Sequence, residues 1–204
     1  GEPLTYHHLA KLPKPKILML ESLGAINTSP RVISEKEMYA NLEKLISQAK
    51  GKIIIGTFAS QIKRINHLLE YAKRIGKKVA LDGYSMKMNV EIAKELGYIK
   101  VGGGTIIPIN SINKYPEEKI IIICTGAQGE GNAVLSRIVS DNHKFVKIRK
   151  NDTIVFSSSV IPGNERTIQR LKDGLYRKCD NVVHSDIMDV HISGHSNAES
   201  VKKM

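Results

Sequence analysis

The feature that most constrains the fold of this chain is a repeated alternation between short apolar runs and longer segments of helical period. The apolar runs are rich in β-branched residues and occur at residues 17–20, 52–57, 78–81, 119–124 and 152–157. Between them, apolar residues recur at spacings of three and four, which is typical of helices with one buried face. Strands that alternate with helices form consecutive β-α-β units. The sequence therefore predicts an α/β fold with a largely parallel sheet flanked by helices on both faces.

The same pattern predicts the other elements. Ser34 to Glu37 resembles a capping box for the first helix, and Ser60 is a candidate cap for the second. The glycine run from Val101 to Thr105 has no period and is interpreted as a turn. Helices are predicted at residues 34–50, 60–76, 86–96, 132–139 and 164–177, and short strands at 182–183 and 190–192.

Composition excludes several classes of protein. The chain has 204 residues, of which 41% are hydrophobic, enough for a substantial core. No stretch approaches the roughly 20 apolar residues that cross a bilayer, and the first residues lack the pattern of a signal peptide. Cys124 and Cys179 lie far apart and are expected to be reduced core thiols. We expect a soluble, cytoplasmic protein without membrane contact.

The charge balance points to an anionic partner without proving one. Lys and Arg total 31 against 20 Asp and Glu, a formal net charge of +11. Surplus Lys that only solubilises the surface explains this charge equally well. Trp is absent and aromatic residues make up 5% of the chain, so phosphate contacts should dominate over base stacking if nucleic acid binds.

Three predicted strands lead into polar loops: residues 125–131, which include Gly126 and Gln128, Ser157 to Ser159, and Ser193 to Ser196. The carboxyl ends of parallel strands share one edge, so these loops are expected to form one continuous anion-binding face. The alternative is that their glycines and hydroxyls only satisfy local turns. A free-nucleotide site is weakly indicated, because residues 125–131 lack both the Lys-Ser/Thr pair of a phosphate-binding loop and the dinucleotide spacing.

Two residues at such strand ends are candidates for acid–base chemistry. His195 follows Gly194 in the third loop, and Glu21 ends the first predicted strand. A loop histidine is more often structural than catalytic, and Glu21 on its own reads as a solvated carboxylate. Spacing does not show whether the two side chains meet.

Together the loop motifs resemble the β-CASP domain of ribonuclease J-like enzymes with a metallo-β-lactamase fold. The resemblance rests on several motifs in the family's order and spacing and covers about Lys16 to the end. The matching stretches are Thr57 to Ser60, Cys124 to Glu130 with Leu135 to Arg137, Asp152 to Glu165, and Val190 to His195.

The resemblance implies a ribonuclease in which single-stranded RNA runs between the β-CASP domain and a metallo-β-lactamase domain that holds two zinc ions. The reaction would be RNA hydrolysis, 5′-to-3′ exonucleolytic, endonucleolytic or both. His195 maps to a histidine that protonates the leaving oxygen, and Glu21 maps to its orienting carboxylate. The family's phosphate pocket maps to Gly126, Gln128, Ser157, Ser158, Ser159, Ser193, Gly194 and Ser196.

The family's zinc-ligand motifs are not found in this sequence, so no metal ligand is assigned and the chain alone is expected to bind no zinc and to be inactive. Its partner would be a metallo-β-lactamase domain in cis or in trans, and relatives commonly form homodimers. Residues 1–15 are interpreted as a linker from that domain, 16–192 as the β-CASP domain and 193–204 as the start of the return. The alternative function is a stand-alone RNA- or nucleotide-binding module.

Overall fold

A six-stranded, all-parallel sheet forms the centre of the computed structural model, which describes residues 9, 11–25 and 33–202. The chain divides into two units, Ile33–Ile192 on the one hand and Gly1–Val32 with Ser193–Met204 on the other. The sheet belongs to the first unit, with the strand order β3-β2-β4-β1-β5-β6. Its strands are β1 (Ile53–Gly56), β2 (Lys78–Asp82), β3 (Ile106–Ile107), β4 (Ile120–Cys124), β5 (Thr153–Phe156) and β6 (Asn181–Val183).

Helices cover both faces of this sheet, as predicted. The α-helices are α1 (Glu35–Gln48), α2 (Ile62–Arg74), α3 (Tyr84–Glu95), α4 (Val134–Val139) and α5 (Glu165–Tyr176), with α6 (Ala198–Lys202) in the second unit. Two 3-10 helices, Ile109–Lys114 and Glu117–Lys119, precede β4. None of the helices in the described part of the chain is long and apolar enough to cross a membrane.

The isoleucine runs of the central strands explain why both faces are covered. In β1, Ile53 and Ile55 pack with the core of α1, α2 and α3, whereas Ile54 packs with the core of α4 and α5 on the opposite face. Successive side chains of a strand point to opposite faces, so a strand buried on both sides has no polar alternation. Cys124 and Cys179 are buried and not disulfide bonded, in agreement with the prediction.

Two predicted strands are wrong. Residues 17–20 are not in a strand, and Ile17 and Met19 are 89% and 91% exposed. The run is apolar, but all strand pairs in the described residues lie between residues 53 and 183, so it has no neighbour to complete its hydrogen bonds. Residues 190–192 are not a strand either; the Val190 carbonyl accepts a hydrogen bond from the Ser157 hydroxyl at 2.7 Å.

Smaller differences concern caps and short elements. Gln61, not Ser60, is the N-cap residue of α2, and no side chain caps this helix. The two-residue strand β3 directly follows the glycine turn and was not predicted, because it is too short to show a pattern. The capping prediction for α1 is confirmed, since the Ser34 hydroxyl accepts the N–H of Glu37 at 3.1 Å.

Strand register brings three loops to one edge. β1 lies between β4 and β5, and Gly56 is aligned with Cys124 and with Phe156. The three strands therefore end at the same level. β1 leads into α2 on one face, whereas β4 and β5 lead into α4 and α5 on the other. Diverging connections at the carboxyl edge of a parallel sheet open the crevice in which such folds bind ligands.

Candidate nucleic-acid interface

The loop after β4 is built around a glycine that no other residue can easily replace. Gly126 has a φ of 103°, a conformation that L side chains rarely adopt. A Cβ at this position would lie 2.7 Å from the Cβ of Ala133 and 3.0 Å from the Leu135 N atom. Gly126 thus lets the loop turn tightly against the start of α4. The turn geometry explains why glycine is needed at residue 126, but it does not test phosphate binding there. The predicted phosphate role of Gly126 stays a prediction.

Gln128 joins the loop after β4 to the loop after β5. Its side chain is buried, its Oε1 accepts the N–H of Ile161 at 2.9 Å, and its Nε2 donates to the carbonyl of Ser159 at 2.5 Å. The Nε2 atom also lies 3.5 Å from the Ser158 hydroxyl. Both ends of the amide are therefore used to fix the serine loop. The sequence singled out Gln128 as a phosphate ligand but did not reveal this structural role.

The three serines after β5 are not equivalent. Ser157 is fully buried and its hydroxyl donates to the carbonyl of Val190. Ser158 is 6% exposed, and Ser159 is partly exposed. A phosphate contact by the Ser157 hydroxyl would require it to give up its present acceptor. Ser158 and Ser159 are therefore the more accessible candidates in this loop.

A buried arginine holds the base of the same loop, and sequence analysis missed it. Arg64 on α2 is 4% exposed, and its Nη1 donates to the Ser157 carbonyl at 2.6 Å and contacts His191 Nδ1 at 3.0 Å. Burial lowers the pKa of Arg64. Burial, followed by the charge of Arg64, lowers the pKa of His191 to about 4. The imidazole is therefore neutral near pH 7, and its Nδ1 can accept a hydrogen bond from the Arg64 guanidinium.

A second buried pair lies at the end of β2 and was also missed. His143 Nε2 contacts Asp82 Oδ2 at 2.7 Å, and both residues are buried. Burial alone would raise the pKa of Asp82, but hydrogen bonds from His143, Lys87 and the N–H of Gly83 together hold it below its usual value. His143 Nδ1 in turn accepts the N–H groups of Phe145 and Val146. Nothing in the 61-residue separation of this pair signals the contact.

The second unit brings the two predicted acid–base residues together. Nδ1 of His195 lies 3.1 Å from Oε1 of Glu21, 174 residues earlier in the chain. Both side chains are substantially exposed, at 45% and 53%. The carboxylate fixes the ring orientation and favours the proton on Nδ1, so that Nε2 is the nitrogen through which the ring can exchange a proton with a substrate. This contact could not be read from spacing.

Other residues of the second unit position this pair. The His195 N–H donates to the Ser193 hydroxyl at 3.1 Å, and Ser193 and Gly194 are exposed while Ser196 is partly buried. A Cβ at Gly24 would overlap the Ser196 carbonyl oxygen. Gly24 therefore allows the turn after Glu21 to approach the His195 segment closely. Sequence analysis did not select Gly24.

Two of the three loops that were expected to form one anion-binding face lie at the same edge of the sheet. The loops at Gly126 and Ser157 lie at the same carboxyl edge of the sheet, whereas Ser193 belongs to the second unit. Within the described residues, no three His, Cys, Asp or Glu side chains form a group that could hold a metal ion. His7 and His8 lie outside the described residues.

Comparison with known proteins identifies a family. Residues 50–175 match a family model described as the β-CASP domain of ribonuclease J. Ribonuclease J of Mycoplasma pneumoniae is 35% identical over all of this chain and 36% of its own length. Ribonuclease J of Helicobacter pylori strain J99 is 33% identical over 94% of this chain and 28% of its own length. Ribonuclease J 1 of Streptococcus pyogenes is 35% identical over all of this chain and 37% of its own length. The chain thus spans about a third of the length of these relatives.

Proposed function

Because this chain belongs to the ribonuclease J β-CASP family, we propose that it is the RNA-binding and proton-donating portion of a zinc-dependent ribonuclease. The substrate is single-stranded RNA, and the reaction is hydrolysis of its phosphodiester bonds, by 5′-to-3′ exonucleolytic cleavage, endonucleolytic cleavage or both. The two zinc ions are held by a metallo-β-lactamase domain in cis or in trans, and the chain alone does not hydrolyse RNA. The protein acts in the cytoplasm, and a homodimer is compatible with this role.

The observation that carries this proposal is the contact between His195 and Glu21. When a phosphodiester is cleaved, the leaving oxygen needs a proton, and imidazole is suited to supply it near neutral pH. Glu21 fixes the ring through Nδ1, so Nε2 is presented to the RNA. The exposure of both side chains leaves the ring accessible to a polymer substrate.

The loops after β4 and β5 supply the binding part of the function. Ser158 and Ser159 offer hydroxyl groups at the carboxyl edge, and Gly126 and Gln128 hold the loops in place. In the second unit, Ser193, Gly194 and Ser196 are proposed to contact phosphate oxygens next to His195. Hydroxyl and backbone N–H donors of this kind recognise phosphate without reading sequence.

The role of His195 can be tested by nitrogen-edited NMR of its ring, with assignment through His195→Gln. We expect the Nδ1–H tautomer in the wild type and its loss in Glu21→Ala, because the acceptor is removed. Addition of 5′-monophosphorylated single-stranded RNA should shift the His195 ring signals. His67, which stacks on Tyr39 and contacts Glu43, serves as the internal control and should not shift.

His195 signals that stay unchanged at saturating RNA would contradict the catalytic assignment. The same samples, supplemented with zinc, test the second part of the proposal. RNA should remain intact, because the proposed metal site lies in another domain. Cleavage by the purified chain would show that the metal centre has been placed in the wrong part of the protein.

A further inference from the structure

A concave basic surface lies at the amino edge of the sheet, opposite the loops that follow β4 and β5. Residues before β1, β4 and β5 border a cavity of about 310 Å³. This volume lies at the lower end of the roughly 300–1,000 Å³ typical of small-ligand sites. We call this cavity the amino-edge pocket; its lining includes Lys52, Glu117, Lys144, Phe145, Lys147 and Arg149.

The charge of the amino-edge pocket is strongly positive. Lys52 is compensated within the protein, because its Nζ lies 2.8 Å from Glu117 and 3.1 Å from buried Asp152. Arg149 contacts Glu117 through Nε at 3.2 Å, and its side chain is 69% exposed. Lys144 and Lys147 are exposed. Of these three cations, Arg149 contacts Glu117, a carboxylate that already pairs with Lys52.

The acidic residue nearest in sequence does not neutralise this surface. Residues 141–150 contain Asp141 against four basic residues. Asp141 is paired with Lys178, and Lys178 together with Lys147 lowers the pKa of its carboxyl group. Lys147 Nζ also donates to the Asp141 carbonyl at 2.7 Å, so Asp141 offsets part of the positive charge of the pocket and leaves the rest for an external anion.

An aromatic ring is held in place within the same pocket. Phe145 is partly exposed, and the Lys144 ammonium lies 5.3 Å from its ring centroid. The loop is fixed because His143 accepts the Phe145 and Val146 N–H groups and is itself anchored on Asp82. The ring and the cations are therefore presented by a rigid backbone, which reduces the entropy lost on binding.

We propose that the amino-edge pocket is a second RNA-binding site, in which Lys144, Lys147 and Arg149 contact backbone phosphates and Phe145 stacks on one base. An aromatic face beside several cations matches single-stranded nucleic acid, whose bases stack on aromatic rings while its phosphates contact cations. The inference rests on the proposed RNA-binding function. It adds a contact at the edge of the sheet opposite the serine loop, so that RNA touches both the carboxyl and the amino edge of the sheet.

The test is an anisotropy titration of the full 204-residue chain with a labelled single-stranded RNA across a salt series. In Lys144→Gln/Lys147→Gln/Arg149→Gln we expect the slope of log affinity against log salt to become shallower by about 1–2, since each lost phosphate contact on a single strand removes about 0.7. Affinity at moderate salt should fall about tenfold or more. Phe145→Leu should weaken binding several-fold with an unchanged slope, because stacking carries no charge.

The matched control is Lys36→Gln/Lys44→Gln/Lys73→Gln, which removes three exposed charges from α1 and α2. It should change the slope far less than the pocket variant. Equal losses in the two triple variants would overturn the proposal, since binding would then follow net charge alone. Retained thermal unfolding midpoints exclude misfolding as the cause.

Location is read out independently by photocrosslinking of RNA that contains 5-iodouridine, followed by peptide mass spectrometry. An adduct on the peptide that contains Phe145 supports the site, and crosslinks confined to other peptides overturn it. Ser158→Ala separates the two proposals. If it lowers affinity while the pocket variant does not, the second site is wrong and the proposed function stands; the reverse result rejects the carboxyl-edge loops and keeps the pocket.

Discussion

At the scale of single residues, the most consequential group outside the acid–base pair is His191, which receives a hydrogen bond from buried Arg64 beside the serine loop. Its pKa is lowered to about 4 in the folded chain, first by burial and then by Arg64. The unfolded value is about 6.5. Between these values the unfolded chain binds a proton that the folded chain does not, so the free energy of unfolding falls as the pH drops through this window.

His191→Gln should remove this pH dependence while keeping an acceptor for Arg64. Urea unfolding at pH 7 and at pH 4.5 measures the effect. We expect the wild type to lose about 2 kcal/mol more than the variant over this interval. Parallel stability curves for the two proteins would show that His191 is not held neutral by its surroundings.

At the scale of elements, buried ion pairing joins the starts of β1 and β5. Asp152 is fully buried, accepts the N–H groups of Lys52 and Arg149 at 2.8 Å each, and lies 3.1 Å from the Lys52 ammonium. Removing one partner of such a pair leaves an uncompensated buried charge. Glu117 remains as a second, more exposed partner of Lys52.

Asp152→Ala should therefore lower the free energy of unfolding by about 3 kcal/mol. Asp152→Asn keeps an acceptor oxygen and should cost less, about 1–2 kcal/mol. Asp173→Ala, an exposed change on α5, is the matched control and should stay within about 0.5 kcal/mol of the wild type. Chemical unfolding measures all three, and equal stability of Asp152→Ala and the control would contradict the account.

The elements also show what sequence reasoning can predict. The isoleucines at 53–55 and 120–123 correctly predicted strands that are buried on both faces. The prediction holds because each of these side chains packs into one of the two hydrophobic cores of this chain. Residues 17–20, Ile-Leu-Met-Leu, are also apolar, but the predicted strand is wrong, since apolarity predicts burial only when a partner surface exists. Glu21 and His195 were selected by motif, but their contact and the Arg64–His191 pair depend on tertiary geometry that periodicity does not contain.

At the scale of the whole molecule, the net charge of +11 left an anionic partner and a merely soluble surface equally open. The structure gives part of that charge a defined place, since Lys144, Lys147 and Arg149 border one cavity. The carboxyl edge offers the hydroxyl groups of the serine loop, which Gln128 and Arg64 hold in place. Charge at one edge should therefore set the salt dependence of RNA binding, and polar groups at the other should set its strength.

The central claim is that this chain binds single-stranded RNA through the serine loop at the carboxyl edge, and its most direct test is one titration. Wild type, Ser158→Ala and the exposed control Ser47→Ala are titrated with a short 5′-monophosphorylated RNA at several salt concentrations. We expect salt-sensitive binding by wild type and control, and about tenfold weaker binding by Ser158→Ala with a similar salt slope, because a hydrogen bond to a charged phosphate is lost. Absence of binding, or a Ser158→Ala curve that coincides with the wild type, would contradict the account.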